Sequence, residues 1–133
     1  EVRRFEVRNP DELDAAVSAM TKAHADALAL IEDPMLIANA AVIATAATRH
    51  KLPSIGVIQY AEAGGLIEYG ANVPDLWRRA AQFVDRILKG AKPADLPVER
   101  ATTFVFAVNL KTARAIGITI PRSILLRADK VIE

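Results

Sequence analysis

The stretch Phe104-Val-Phe-Ala-Val-Asn-Leu-Lys-Thr-Ala-Arg-Ala-Ile-Gly-Ile-Thr-Ile-Pro121 contains the change of pattern on which the fold depends. Residues 102–108 are β-branched and aromatic, which predicts a strand. Asn109 is a helix-capping residue type and Gly117 is a typical helix stop, so a short helix is predicted over residues 109–116. A strand that passes directly into a helix is the repeating unit of α/β folds.

The rest of the chain alternates strand and helix patterns in the same way. Further segments are predicted as strands at 2–7, 25–31, 53–58 and 66–69, and as helices at 10–24, 34–50, 72–90 and 121–132. The helix over 72–90 is predicted to turn one face inward, formed by Leu76, Ala80, Phe83, Val84 and Ile87. Crossovers of helical length favour a mostly parallel sheet covered on both faces. We therefore predict an α/β three-layer sandwich with flavodoxin-like or Rossmann-like winding.

Composition narrows the function classes. The chain has 133 residues, 52% hydrophobic and 25% charged, with a net charge of +1 and no cysteine. The charges are interspersed, which argues against a nucleic-acid partner. The missing cysteines exclude a disulfide scaffold, a thiol nucleophile and a cysteine zinc site. No signal peptide is visible and the chain does not open with Met, so we expect a fragment of a longer protein.

Candidate binding residues follow from the predicted sheet, because ligands of parallel sheets collect at the carboxyl ends of the strands. Asp33 is placed to cap a helix, and a capping carboxylate there can also accept from a ligand ammonium. Tyr60 and Tyr69 end two strands and are suited to stack on a planar solute. Glu62 is either a ligand acceptor or a solvated carboxylate. The pair Gly64-Gly65 is either a tight turn or a backbone that a ligand approaches closely.

No catalytic motif accompanies these residues. His24 and His50 lack the spacing of a metal pair, and no Gly-x-Ser-x-Gly nucleophile turn is present. The pair Gly64-Gly65 matches neither Gly-x-Gly-x-x-Gly nor a phosphate-binding loop. These absences argue against serine nucleophilic catalysis and nucleotide binding, and we expect no metal and no cofactor.

Three blocks of the sequence carry a resemblance to a known family. They are Ile87–Val98 together with the quoted stretch, Ala61–Gly70 (Ala-Glu-Ala-Gly-Gly-Leu-Ile-Glu-Tyr-Gly), and Asp75–Ala81 (Asp-Leu-Trp-Arg-Arg-Ala-Ala). Together they resemble the solute-binding proteins of ABC transporters, in the tryptophan/tyrosine-type branch. The resemblance departs at Glu68, where that family usually has a small residue, and at Trp77, where Tyr is common.

The resemblance implies a periplasmic-binding-protein type I-like lobe that binds a small organic solute, amino-acid-like or aromatic, against a second lobe. It implies a periplasmic or lipid-anchored receptor that docks on a membrane permease and is not an enzyme. Residues 1–133 are then one lobe whose N-terminal counterpart is missing, and Leu66–Gly90 is expected to pack on that missing lobe. Gly70 lies in the expected strand-end segment 69–72 and joins the expected binding residues. A half-receptor would expose its interlobe face, which favours a homodimer.

Two alternatives stay open at this point. An effector-binding domain of a transcription regulator shares the expected fold and would carry a DNA-binding head upstream. A small Rossmann-like enzyme ranks last, because Asn9–Glu12 and Glu32–Pro34 place acids where a phosphate-binding loop would be needed.

Overall fold

The computed structural model describes residues 1–133, which form six α-helices and five β-strands. The helices are α1 (Leu13–Lys22), α2 (Pro34–Ala38), α3 (Ala40–Arg49), α4 (Val73–Leu88), α5 (Leu110–Ile116) and α6 (Arg122–Leu125). The strands are β1 (Leu28–Ala29), β2 (Ser54–Gly56), β3 (Ile67–Ala71), β4 (Phe104–Asn109) and β5 (Lys130–Ile132). Short 3₁₀ turns at Pro10–Glu12 and Pro93–Asp95 complete the regular structure.

The five strands form one sheet in the order β1-β2-β3-β4-β5. Each neighbouring pair is parallel except β3 and β4, which run antiparallel with Tyr69 opposite Phe106. The predicted fold class, an α/β fold with a mostly parallel sheet, is confirmed. The connection from β2 to β3 contains no helix, so its ten residues return across the sheet as a series of turns.

The main core lies where α1 and α3 pack on β1. Its members are side chains less than one-tenth exposed: Leu13, Val17, Leu28, Ile43, Ala46, Ala47 and Leu52. The alanines let α3 lie close to its neighbours, as their number in the sequence suggests. A smaller cluster, Leu66 with Ala113 and Ile116, fixes α5 beside the start of β3.

Three predicted elements differ from the structure. Residues 2–7 form no strand, because no strand lies beside them to accept their backbone hydrogen bonds. The predicted helix over 34–50 is two helices, which meet at Asn39, whose side-chain amide donates to the Met35 carbonyl. The predicted terminal helix stops at Leu125, and Lys130–Ile132 pairs with β4 instead. Helical periodicity alone did not distinguish that short strand from a continuing helix.

Helix α4 projects from the rest of the molecule. Asn72 caps it by accepting from the Asp75 amide at 3.1 Å, and Thr103 donates to Asp75 at 2.6 Å. Arg79 adds an ion pair with Glu99. None of its residues is buried, so the prediction that its apolar face turns inward is wrong for this structure. Amphipathic periodicity identifies such a face without showing that anything covers it.

Candidate functional site

The carboxyl ends of β1, β2 and β3 meet at one edge of the sheet, since these three strands are parallel. Asp33 follows β1, Val57–Gln59 follows β2, and Gly70 lies at the end of β3. Strands in a sheet are spaced about 4.8 Å apart, so the groups on β1 and β3 lie roughly 10 Å from each other. We call this set of strand ends the carboxyl edge.

Asp33 occupies the capping position expected from the sequence. Its Oδ1 accepts from the amides of Met35 at 2.8 Å and Leu36 at 3.2 Å, and its backbone is extended, as a cap requires. Its second carboxylate oxygen, Oδ2, makes no hydrogen bond within the chain. That oxygen is available to a donor at the carboxyl edge.

Tyr69 is the accessible aromatic group near this edge. Its side chain is 53% exposed, and its ring stacks on Phe104 with centroids 5.7 Å apart and planes inclined by 7°. Phe106, directly opposite on β4, meets it edge-on at 6.2 Å. Both phenylalanines were missed as site candidates. Knowledge that β3 and β4 pair antiparallel would have found them, but the sequence does not give that register.

The segment after β2 has an unusual backbone. Ile58 and Gln59 both have positive φ angles, 41° and 59°, in the left-handed region that β-branched Ile58 rarely adopts. A Cβ atom on Gly70 would come within 3.3 Å of the Val57 side chain. Glycine therefore lets the ends of β2 and β3 approach closely. Strained backbone of this kind concentrates at functional sites, which makes Ile58 and Gln59 candidates that sequence reasoning did not identify.

Tyr60 lies elsewhere, with 0% of its side chain exposed. Its ring is enclosed by Gly56 and Gly65, because a Cβ atom at either position would overlap the ring. Burial raises the pKa of the Tyr60 phenol, and the nearby Ser54 side chain opposes the shift to a smaller extent. The Tyr60 hydroxyl is buried and has no hydrogen-bond partner. Tyr60 is a core residue in this structure rather than an accessible platform.

Glu62, Gly64 and Gly65 also lie away from the carboxyl edge, in the turns that lead from β2 back to the start of β3. The Glu62 carboxylate accepts from Lys130 at 2.7 Å, and this hydrogen bond raises the pKa of Lys130. Thr112 donates to the Gly64 carbonyl at 2.8 Å. These contacts give Glu62 and Gly64 structural partners and fix the turns beside α5 and β5.

Glu68 points to the face of the sheet opposite Tyr69, since neighbouring residues of a strand alternate. It is 7% exposed, and it accepts from the Ala61 amide at 3.4 Å. The acid that departs from the resemblance therefore lies under the β2–β3 turns and does not narrow the space around Tyr69. Asn109 contacts the same turns, because its side-chain amide donates to the Ala61 carbonyl at 2.9 Å.

A mostly parallel α/β sheet with an exposed aromatic group and a free carboxylate oxygen at its carboxyl edge has the features of a lobe that binds small molecules. Residues 1–132 match the family described as ABC transporter substrate binding protein, and the chain belongs to that family. Membership of a substrate-binding family points to a binding protein rather than an enzyme. No helix of the structure has the combined length and apolar character needed to cross a membrane.

Solved structures of similar proteins agree with this assignment. The ABC domain from Streptococcus pneumoniae in complex with L-Trp is 31% identical, with a TM-score of 0.86, over 98% of this chain and 44% of that one. A conserved domain protein from Vibrio cholerae is 26% identical, with a TM-score of 0.84, over 92% of this chain and 42% of that one.

A substrate-binding protein with adhesive properties from Clostridium difficile, in a ligand-free open structure, shares the fold. It is 21% identical with a TM-score of 0.71, over 100% of this chain and 44% of that one. This chain thus spans less than half the length of the solved structures that it resembles. No curated protein is similar enough in sequence to count as a match.

Proposed function

We propose that residues 1–133 form one lobe of the solute receptor of an ABC uptake transporter. The receptor works outside the cytoplasm, closes two lobes around a small organic solute and delivers it to a membrane permease. The observation that carries the proposal is the family match over residues 1–132. It is supported by the similarity at 31% identity to a domain that was crystallised with L-Trp.

The proposed solute is amino-acid-like or aromatic. The stacked pair Tyr69 and Phe104 offers a flat apolar surface, which suits a planar side chain. The unused Oδ2 of Asp33 suits an ammonium group, about two strand spacings away. Gly70 has no side chain, so the backbone between Tyr69 and Asp33 stays open to the solute and close to Val57. The loop behind this edge is supported by Tyr60, Glu62, Gly64 and Gly65. These residues contribute to solute binding indirectly, by holding that loop in place.

The second lobe is proposed to cover α4. Residues 66–71 lie in the centre of the present sheet, so of the segment 66–90 only the part after Asn72 is free to pack elsewhere. On α4, Trp77 is 72% and Leu88 is 82% exposed. An exposed apolar face of this kind on a helix marks an interaction surface. We propose that this face packs on the other lobe of the receptor.

The test is a calorimetric titration of the natural receptor that contains this sequence with L-tryptophan, L-tyrosine and L-leucine. Saturable heat with at least one of them is expected. Tyr69→Ala should weaken binding of an aromatic solute about tenfold, because an aromatic contact contributes roughly 0.5–1.5 kcal/mol. Tyr69→Phe is the matched control, since it keeps the ring, and it should bind nearly as well as the natural protein.

Absence of heat with all three amino acids would refute the proposed solute class. Equal loss in Tyr69→Ala and Tyr69→Phe would mean that the hydroxyl group, not ring stacking, makes the contact. Residues 1–133 alone should bind weakly or not at all, because a two-lobed site depends on both walls and on closure. Tight binding by this lobe alone would refute the two-lobed arrangement.

A further inference from the structure

The end of β2 lies in the middle of the carboxyl edge. The sheet order places β2 between β1 and β3, so Val57–Gln59 lies between Asp33 and Tyr69 along this edge. Neighbouring strands are about 4.8 Å apart, and a small molecule that contacts both Asp33 and Tyr69 therefore passes over this segment. We call Val57–Gln59 the β2 end.

The β2 end has hydrogen-bond donors that the protein does not use. The backbone amides of Ile58 and Gln59 make no hydrogen bond within the chain, and neither does the side-chain amide of Gln59. Gln59 is exposed and Ile58 is half-buried. The next amide with a side-chain acceptor is that of Ala61, which donates to Glu68. The donors of the β2 end are thus available to a ligand at the carboxyl edge.

The backbone conformation of the β2 end groups these donors. Ile58 and Gln59 are consecutive residues with positive φ angles, 41° and 59°. Successive residues in turn conformations of this kind direct their amides to the same side, and such groups of amides form concavities that bind anions. The carbonyls of Gln59 and Tyr60 accept from the amides of Ala63 and Gly65, within the turns that follow. The β2 end therefore has free donors while the carbonyls next to them are occupied.

The chemistry of these donors selects the group that binds them. A backbone amide only donates, so it binds a carboxylate and offers nothing to an ammonium group. A hydrogen bond to an ionised acceptor is roughly twice as strong as one between neutral groups. No acidic side chain lies within residues 57–60, and the nearest one in sequence, Glu62, is paired with Lys130. The β2 end is therefore suited to an anionic group of the solute.

We propose that the β2 end is an anion subsite that binds the carboxylate of the solute, with Gln59 as a specificity-determining residue. This inference rests on the proposed function, and it narrows the solute to an α-amino acid with a free carboxylate. Such a molecule carries its ammonium group, carboxylate and side chain on one carbon atom. The three adjacent strand ends offer a partner for each group: a carboxylate oxygen after β1, amide donors at the β2 end and an aromatic ring on β3.

The experiment compares amino acids with their carboxamides by calorimetric titration of the natural receptor that contains this sequence. The probes are L-tryptophanamide, L-tyrosinamide and L-leucinamide, which keep the ammonium group and the side chain but replace the carboxylate with a neutral amide. Each carboxamide should bind about a hundredfold more weakly than an amino acid that binds, since two hydrogen bonds to an ionised group are lost.

Nuclear magnetic resonance locates the contact within the receptor. In nitrogen-15-labelled receptor, the amide proton resonances of Ile58 and Gln59 should move downfield when the amino acid is added, because these protons then donate to a carboxylate. The carboxamide should not move them in this way. A residue that only supports the fold would show no such difference between the two ligands.

A protein variant tests the same contact from the other side. Gln59→Glu places a negative charge beside the bound carboxylate and should weaken binding of the amino acid about tenfold or more. Binding of the carboxamide should change little, so the difference between the two ligands becomes smaller. Gln82→Glu is the matched control, because it makes the same change at the other glutamine, which is exposed on α4. It should retain the full difference.

Equal affinity for an amino acid and its carboxamide would overturn the anion subsite and leave the proposed receptor function intact. The subsite is also overturned if the carboxamide binds weakly but the Ile58 and Gln59 resonances do not respond to the amino acid, since the carboxylate is then bound elsewhere. Equal weakening of both ligands by Gln59→Glu would refute the role of Gln59 in specificity. Absence of heat with all three amino acids would refute the proposed solute class and this subsite together.

Discussion

Tyr60 is the residue at which sequence and structure differ most. It ends a predicted strand and has an aromatic ring, two features that suggested a ligand platform. Three-dimensional packing instead places the ring between two glycines, where no solute reaches it in this structure. The two-glycine pattern Gly64-Gly65 has a related explanation, because Gly65 leaves space for that ring.

Replacing Tyr60 with Phe should leave the free energy of unfolding unchanged or raise it by up to about 1 kcal/mol. The hydroxyl is buried without a hydrogen-bond partner, and an unsatisfied buried polar group costs about 1–3 kcal/mol, partly offset here by the space left behind. Urea denaturation measures the change. A loss of more than about 1.5 kcal/mol would show that the hydroxyl has a stabilising partner, such as Ser54 or a bound water.

The same residue predicts a loss of stability at alkaline pH. Burial raises the pKa of Tyr60 above 10.0, so above that pH the unfolded chain releases the proton while the folded chain retains it. Its contribution to stability is therefore full below pH 10.0 and is lost as pH rises through the raised pKa. Lys130, raised above 10.5, acts in the same direction.

The decrease in stability is measured from urea midpoints at about pH 8 and pH 11, and a variant without the Tyr60 hydroxyl separates the contribution of Tyr60 from that of Lys130. The alkaline decrease should be smaller in Tyr60→Phe than in the natural chain, and the remaining part includes the contribution of Lys130. Tyr69→Phe, which removes the exposed tyrosine hydroxyl, is the matched control and should retain the full decrease. An identical decrease in Tyr60→Phe and the natural chain would contradict the assignment to Tyr60.

At the scale of elements, two asparagines cap helices but in different surroundings. Asn109 is 4% exposed; its Oδ1 accepts from the Thr112 amide and its Nδ2 donates to the Ala61 carbonyl, both at 2.9 Å. Asn72 accepts only from Asp75 and caps the projecting helix α4. Asn109 thus connects a helix start to the β2–β3 turns, whereas Asn72 serves one helix alone.

Substitution with alanine should separate these roles. Asn109→Ala should lower the free energy of unfolding by about 2–4 kcal/mol, since it removes a cap and leaves the buried Ala61 carbonyl without its side-chain donor. Asn72→Ala, the matched control, should cost about 1 kcal/mol, the usual value of a cap. Chemical denaturation measures both. Equal costs would mean that the Asn109–Ala61 hydrogen bond adds no net stability.

At the scale of the whole molecule, the exposed apolar face of α4 predicts a change in the surroundings of Trp77, the one tryptophan in the sequence. In residues 1–133 alone, acrylamide should quench its fluorescence readily. Addition of the separately produced remainder of the receptor should reduce quenching and shift the emission to shorter wavelength, since the proposed packing removes the indole from water.

Two controls make this measurement specific. First, any tryptophan in the remainder of the receptor is replaced by phenylalanine, so that the measured fluorescence comes from Trp77 alone. Leu88→Lys should weaken the shift, because it places a charge on the same face of α4. Unchanged quenching on addition of a folded remainder would contradict the proposed contact between α4 and the second lobe.

Local patterns in the sequence determined much of this protein. The caps at Asp33, Asn72 and Asn109, the α/β class, and the order of strands and helices from Ala25 to Ile116 apart from the break at Asn39 all follow from short-range signals. These signals act within one turn of helix or one period of a strand, so they are readable without a partner. The family resemblance, carried by three blocks of residues, was readable for the same reason and agrees with the match over residues 1–132.

Only the tertiary structure decided which side chains meet. The antiparallel register of β3 and β4 brings Phe104 and Phe106 to Tyr69, while the Tyr60 ring is buried and Glu62 pairs with Lys130. It also decided that residues 2–7 form no strand and that 130–132 do, because a strand exists only where a neighbouring strand accepts its backbone hydrogen bonds. Such pairings join residues far apart in the chain, and a local pattern does not specify them.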